Sequence, residues 1–282
     1  MLKVIKPGFY SSIQDSGRKG YRDFGVPISG AMDTYSSRLA NTLLGNDRKC
    51  AVLEMTMFGG EFLFSTPSII AISGAEMHAT LNHKPVSNNS SISVESGDVL
   101  RFGRASQGFR SYLAIKNGFQ SKSVLNSRSQ YKSITKSVSL SKDEILHYSE
   151  FKQTVIDSNA SVKYDQRILT DYILDVFKGP EFNKLPKDQK HLLLNTDFSV
   201  SHLNNRMAYQ IEPLVPNNID PIITSPILPG TVQLTPSGRL IILMRDAQTT
   251  GGYPRVLQLT EQAINCLSQK TTGNILKIRL KE

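Results

Sequence analysis

The chain has 282 residues, 39% of them hydrophobic and 20% charged, and its 33 Lys+Arg against 24 Asp+Glu leave a formal net charge of +9. This composition excludes disorder, collagen and coiled coil as overall descriptions, and the length suits one large domain or two modest ones, each able to bury a core. The longest apolar runs, 69–72 and 240–244, fall far short of the roughly 20 residues that cross a bilayer, so neither a transmembrane helix nor a membrane partner is expected.

In chain order, the first eight residues carry Lys3 inside their only apolar stretch and lack a small-residue cleavage site, so they do not read as a signal peptide and a cytoplasmic location is expected. Residues 12–21 and 25–33 are dense in glycine and polar groups. Such glycines let backbone N–H groups approach a ligand, and Arg18 could hold a carboxylate or phosphate through two donors; a turn-rich connection would use the same residues. Asp33 is placed to N-cap a helix whose Leu39, Ala40, Leu43 and Leu44 form an apolar stripe, with Gly45 as its stop. Strands follow at 68–73, at 92–102 around a Ser96-Gly97-Asp98 turn, and at 109–115.

Residues 121–142 hold eight serines and five basic residues, Lys122, Arg128, Lys132, Lys136 and Lys142, with no acid. With only Tyr131 as an aromatic, the segment reads as a solvated loop rather than a base-stacking platform, and no nucleic-acid partner is expected. The polar stretch 148–165 is the natural place for a boundary, dividing the chain into domains 1–160 and 161–282. The run 168–177 fits a helical face and a buried strand equally well.

Beyond it, Arg206 lies among amides, Asn204 and Asn205, which suits either an anion site or a plain loop. The strand at 238–244 then delivers Arg245-Asp246-Ala247-Gln248-Thr249-Thr250-Gly251-Gly252 at its end. A carboxylate, an amide, two hydroxyls and free backbone amides in so small a space suit charge stabilisation or proton handling, though a tight hairpin would also explain them. Thr260 caps a second helix carrying Ala263, Ile264 and Leu267, and a last strand covers 274–280. Many short strands between Gly, Pro and Asn turns favour barrels or sandwiches over a doubly wound sheet.

Familiar chemistry is missing from the pattern. No glycine precedes a lysine and no two glycines are separated by a single intervening residue, which removes the Walker A loop and the G-x-G start of dinucleotide and kinase loops. The five histidines form no H-E-x-x-H, no G-x-S-x-G elbow occurs, and Cys50 and Cys266 are far apart, so no metal, serine-hydrolase or disulfide framework is expected.

Several segments together carry a resemblance. They are Gln14-Asp15 with Gly17-Arg18, Gly25-Val26-Pro27, Ser29-Gly30-Ala31-Met32-Asp33, Glu54, Ser73-Gly74-Ala75, Asn205-Arg206-Met207, Pro229-Gly230-Thr231 with Gln233, and 246–254. The chain resembles, over nearly its whole length, the KipA family, also described as allophanate hydrolase subunit 2-like or biotin-dependent carboxyltransferase-like. The resemblance implies a mainly β chain with a few helices, built as two cyclophilin-like β-barrel subdomains, and it turns 168–177 toward strand.

By function, the resemblance implies the C subunit of an ATP-dependent 5-oxoprolinase, an amidohydrolase. Its partners would be a KipI-like subunit, with which it would activate 5-oxoproline by phosphorylation, and a LamB/YcsF-like subunit, which opens the ring to L-glutamate. ATP would be shared with the KipI-like partner, with or without Mg²⁺. Two alternatives stay open: a biotin-dependent carboxyltransferase of the urea carboxylase type, or a non-catalytic KipI-binding antagonist. Under the leading reading Arg18 and Arg206 hold anionic oxygens and Asp246 is the general base or a metal-facing carboxylate, while Gln14, Asp15, Ser29, Asp33, Gln233, Gln248, Thr249 and Tyr253 bind or orient substrate. Replacing Asp246 by Asn should then slow chemistry and leave stability nearly unchanged.

Overall fold

The computed structural model describes residues 1–152 and 162–281, so the boundary expected at 160/161 lies outside the described residues. The chain divides into two compact units, one of Met1–Arg18 with Ser29–Leu169, the other of Lys19–Ile28 with the chain from Thr170 onward.

The first unit contains β1 (Leu2–Lys6), β2 (Tyr10–Gln14), α1 (Thr34–Leu43), β3 (Val52–Thr56), β4 (Glu61–Phe64), β5 (Ser68–Glu76), β6 (Thr80–Leu81), β7 (Lys84–Pro85), β8 (Ser91–Val94), β9 (Val99–Arg101), β10 (Gln107–Ile115) and β11 (Ile145–Leu146). They form two sheets, ordered β11-β1-β4-β9-β6-β7 and β2-β3-β10-β5-β8. Alternation along β1 and β4 buries Leu2, Val4, Phe62 and Phe64 completely, and these meet Ile13, Leu53, Met55, Ile70, Ile72, Leu113 and Ile115 of the other sheet in one core. β5 and β10 are buried on both faces: on the second face Ala71 and Ala114 are small enough for α1 to settle against them through Ala40 and Leu44. Asp33 caps α1 as its sequence suggests, its Oδ1 accepting Ser36 N at 3.0 Å. At Gly74 (φ +91°) a Cβ would lie 2.5 Å from the Arg110 carbonyl, so β5 and β10 can approach there only with glycine.

The serine- and lysine-rich segment 121–142 departs from the solvated loop expected of it. Lys122, Lys132, Lys136 and Lys142 are exposed, but Ser127, Ser129, Gln130 and Leu140 are buried against β2. Gln130 N donates to the Ile13 carbonyl (2.9 Å), Ile13 N to Gln130 Oε1 (2.9 Å) and Leu140 N to the Ser11 carbonyl (2.8 Å). An edge strand needs partners for its backbone, and the short hydroxyl and amide side chains let this segment supply them.

The second unit follows α2 (Arg167–Thr170) with β12 (Ile173–Lys178), α3 (Lys187–Asn195), β13 (Phe198–Asn204), β14 (Ala208–Glu212), β15 (Ser225–Pro226), β16 (Thr231–Leu234), β17 (Leu240–Leu243), β18 (Thr250–Gly251), β19 (Arg255–Leu259), α4 (Glu261–Ser268) and β20 (Ile275–Leu280). Seven strands close a barrel in the order β12-β19-β16-β17-β14-β13-β20, sealed by a parallel join in which Ile173 faces Lys277 and Val176 faces Leu280. Leu174, Val176, Phe198, Tyr209, Ile211, Val232, Ile242, Val256 and Leu276 are fully buried, and α4, capped by Thr260, packs on β12 and β19. The chain is thus mainly β with a few helices, as expected. The strand reading of 168–177 holds only from Ile173. Asp165 accepts Arg167 N (3.1 Å) and binds its guanidinium, which starts a helical turn that buries Ile168 and Leu169 instead.

At the start of β19, Arg255 is clamped by Glu181, with Nε to Oε2 at 3.0 Å and Nη2 to Oε1 at 2.9 Å. These bonds hold the Glu181 carboxyl below its ordinary 4.5 although burial opposes them. A folded-state pKa lowered in this way stabilises the protein above the unfolded value and is lost as pH falls through the folded one. Thermal melts from pH 7 to 3 should therefore fall less steeply for Glu181→Gln than for the parent below about pH 4.5; parallel curves would show that the clamp is energetically silent.

Candidate functional site

Register in the barrel brings Arg206 beside Asp246. β14 pairs with β17 so that Ala208 faces Leu243, and the ladder continues past both strands: Met244 N donates to the Met207 carbonyl (2.8 Å) and Asp246 N to the Arg206 carbonyl (2.9 Å). The β13–β14 tip is fixed by Asn205, whose Oδ1 accepts Met207 N (2.7 Å) and Ala208 N (3.1 Å). Arg206 then forks onto Asp246, Nε to Oδ2 at 2.8 Å and Nη2 to Oδ1 at 3.1 Å, with both residues 8% exposed. Each carboxylate oxygen accepts one guanidinium N–H and keeps lone-pair capacity for another proton.

The remaining expected groups of this unit surround that pair in sequence but differ in exposure. Gln233 is buried on β16 and its Nε2 lies 3.5 Å from the Tyr253 carbonyl. Gln248 is exposed, Thr249 is half-buried, and Tyr253 is 40% exposed. The Thr249 carbonyl accepts Ile227 N (3.1 Å) and the Arg22 guanidinium (3.3 Å), so this loop is pinned through its backbone while its side chains stay available.

In the first unit, Gln14, Arg18, Ser29 and Asp33 are all buried and Asp15 is partly so. Asp15 is a hub: its carboxylate accepts Gly17 N (2.8 Å), Ser127 Oγ (2.7 Å), Ser129 Oγ (2.7 Å) and Arg128 N (2.6 Å). Gln14 Nε2 donates to Ser12 Oγ (2.9 Å) and the Gln130 carbonyl (3.3 Å), and Arg18 donates to the Ser129 carbonyl. The 29–33 segment is held by three successive amides: Ala31 N to the Asp15 carbonyl (3.0 Å), Met32 N to Glu54 Oε2 (2.8 Å) and Asp33 N to the Tyr112 hydroxyl (2.8 Å). This clamp keeps Ser29 in the left-handed region (φ +57°) with its buried hydroxyl lacking a hydrogen-bond partner among the described residues. A hydroxyl held rigidly and left unsatisfied is suited to a ligand's polar atom.

Arg110 and Tyr112 escaped the sequence reading of the site, and Arg245 and Glu54 were named there without a role. Arg245 is buried and binds Glu261 (2.6 Å) and Asn265 (3.4 Å), and its place beside Asp246 was the available signal. Glu54, Arg110 and Tyr112 lie on adjoining strands β3 and β10, with Arg110 Nε 3.9 Å from Glu54 Oε1. Burial pushes the Tyr112 hydroxyl pKa well up, with help from Glu54 and Asp33, so it remains a neutral donor and acceptor. Polar residues on a strand buried on both faces are the trace this cluster leaves in the sequence.

The second unit is thus a closed β-barrel carrying a buried Arg-Asp pair at its strand ends, and the first is a two-sheet β unit with a clamped polar loop. The family described as carboxyltransferase domain, subdomain A and B, matches residues 24–280, and the chain belongs to it. It is 30% identical over 279 residues to the 5-oxoprolinase C subunit of Escherichia coli K12, covering 97% of this chain and 89% of that protein. Urea amidolyase of Lachancea kluyveri is 47% identical over 131 residues, 46% of this chain but 7% of the relative. The crystal structure of TTHA0988 matches with a TM-score of 0.87 at 26% identity, spanning all of this chain and 55% of that one. Among the described residues no helix is long and apolar enough to cross a membrane.

Proposed function

We propose that the chain is the C subunit of an ATP-dependent 5-oxoprolinase, acting with a KipI-like subunit to phosphorylate 5-oxoproline before a LamB/YcsF-like subunit opens the ring in the cytoplasm. The observation that carries this reading is the near full-length likeness to a protein of that name, where the urea amidolyase likeness occupies a small fraction of its relative. ATP supplies the phosphoryl group. Guanidinium, hydroxyl, amide and backbone N–H donors fit phosphoryl and carboxylate oxygens, which supports anion handling by this chain and leaves the adenine to the KipI-like partner. No group of three His, Cys, Asp or Glu side chains converges among the described residues, so Mg²⁺ arriving with ATP would rely on its phosphates and on the partner.

The amide oxygen of 5-oxoproline forms the new O–P bond as the bond to the leaving ADP oxygen breaks, and the ring N–H becomes more acidic. In this reading Asp246, paired with Arg206, takes a proton with its remaining lone pairs, and Arg206 stabilises negative charge beside it. Gln233, Gln248, Thr249 and Tyr253 of the same unit orient the substrate. The second reading, carboxyl transfer from carboxybiotin, is favoured by the 47% identity to urea amidolyase and would need biotin on a separate carrier.

The purified chain alone should show no 5-oxoproline-dependent ATPase activity and should gain it when the KipI-like partner is added. Full turnover by the chain alone would contradict the shared site. Activity with carboxybiotin and urea, and none with ATP and 5-oxoproline, would establish the second reading.

A further inference from the structure

Residues 19–28 belong to the second unit, although the chain up to Arg18 and from Ser29 onward belongs to the first. Burial does not explain the excursion. Within it only Pro27 is buried, Phe24 is 79% exposed, and the 3₁₀ turn at Arg22–Phe24 buries no residue. Ordering such a segment costs conformational entropy with little apolar surface removed from water to offset it, so its polar contacts carry the attachment.

Those contacts converge on Arg22. Gly25, left-handed at φ +76°, closes the turn by donating its N–H to the Arg22 carbonyl (2.9 Å). The guanidinium then reaches two carbonyls 205 and 227 residues along the chain: Nη2 donates to Ile227 and, at 3.3 Å, to Thr249. The two acceptors face each other across one joint. Ile227 N donates to the Thr249 carbonyl (3.1 Å), Pro226 faces Thr250 and Ser225 faces Gly251 in the β15–β18 ribbon, and Ile222 N donates to the Gly252 carbonyl (2.9 Å). The buried Ile227 side chain packs with Leu243 and Ala247. Arg22 therefore ties the ribbon one residue beyond β15 and β18, where the chain continues into Gln248. Gln248 is exposed and Thr249 half-buried, so the arrangement of both depends on the backbone being held.

We propose that Arg22 is a positioning residue for Gln248 and Thr249, acting through the Ile227 and Thr249 carbonyls and not on substrate itself. The proposal rests on the substrate-orienting role given to those two side chains in the 5-oxoprolinase reading. A charged donor shared by two carbonyls ties them more strongly than a neutral amide would, and an ammonium, a single compact donor group, replaces the guanidinium only in part.

The full-length parent would be compared with Arg22→Ala and Arg22→Lys in two measurements. Hydrogen exchange on the chain alone reads the tie without any substrate. In Arg22→Ala the Ile222 and Ile227 amides should exchange about tenfold faster while β16 and β17 keep their protection. In the reconstituted complex KM for 5-oxoproline should rise about tenfold, the scale of one lost hydrogen bond, with kcat changing by less than about twofold. Arg22→Lys should recover part of both changes. If Arg22→Ala melts too early to assay, Arg22→Gln, which keeps one neutral amide donor, replaces it with the same expected directions. A parent complex that uses carboxybiotin and urea instead would fail the 5-oxoprolinase reading alone, and the KM shift would then be measured for urea. With a parent inactive on both, exchange alone decides whether Arg22 holds the segment. Unchanged exchange at Ile222 and Ile227, faster exchange throughout the barrel, or an unmoved KM in an active complex overturns the proposal.

Discussion

Arg206→Ala is expected to cost the barrel roughly 3–5 kcal/mol, the scale for removing one partner of a buried ion pair. Asp246 would keep its place, because its backbone N–H is bound to the residue 206 carbonyl, but its charge would face a cavity instead of a guanidinium. The matching change, Asp246→Asn, removes the negative charge facing Arg206 but keeps a carbonyl acceptor, and should cost less, about 1–3 kcal/mol. This differs from the expectation that Asp246→Asn leaves stability nearly unchanged, which did not include the ion pair with Arg206. The double variant Arg206→Ala with Asp246→Asn should be more stable than the sum of its single losses, since neither charge is left alone. Urea denaturation of all four proteins checks this. Strictly additive losses would mean the pair makes no energetic contact.

The second large effect falls on chemistry. In the reconstituted complex, held well below the melting temperature of the variant, Asp246→Asn should slow single-turnover phosphorylation by roughly 100-fold or more, the usual scale for a positioned acid or base. Arg206→Lys should also lose activity, because an ammonium cannot span Oδ1 and Oδ2 as the planar fork does. Unchanged single-turnover rates in a stably folded Asp246→Asn protein would leave the pair a structural brace alone. Arg18→Lys is a different experiment: Arg18 is fully buried and bonded to the Ser129 carbonyl, so its loss should register in folding as well as in turnover.

What could be read from the sequence was what neighbouring residues decide. Asp33 and Thr260 announce their helices because a cap is settled within four residues, and 109–115 and 238–244 announce strands through apolar, β-branched runs. The closure of the barrel was not legible in that detail, since β12 and β20 meet across a hundred residues by backbone pairing that leaves no side-chain signature. The site divides the same way. Arg206 and Asp246 stood out as residue types in polar, glycine-rich surroundings, but the ion pair between them follows from the β14–β17 register, which no local pattern encodes. Segment 121–142 misled because its lysines dominate its composition, while the buried Ser127, Ser129 and Gln130 decide where it goes.

The central claim, that this chain serves an ATP-driven opening of 5-oxoproline, is tested most directly by glutamate release. The chain would be combined with its purified KipI-like and LamB/YcsF-like partners, 5-oxoproline and ATP, and L-glutamate followed over time, with each protein omitted in turn. Release that requires ATP and this chain, and that falls by roughly 100-fold with Asp246→Asn, is the expected result. No glutamate from three well-folded proteins, or release unaffected by leaving this chain out, would contradict the claim.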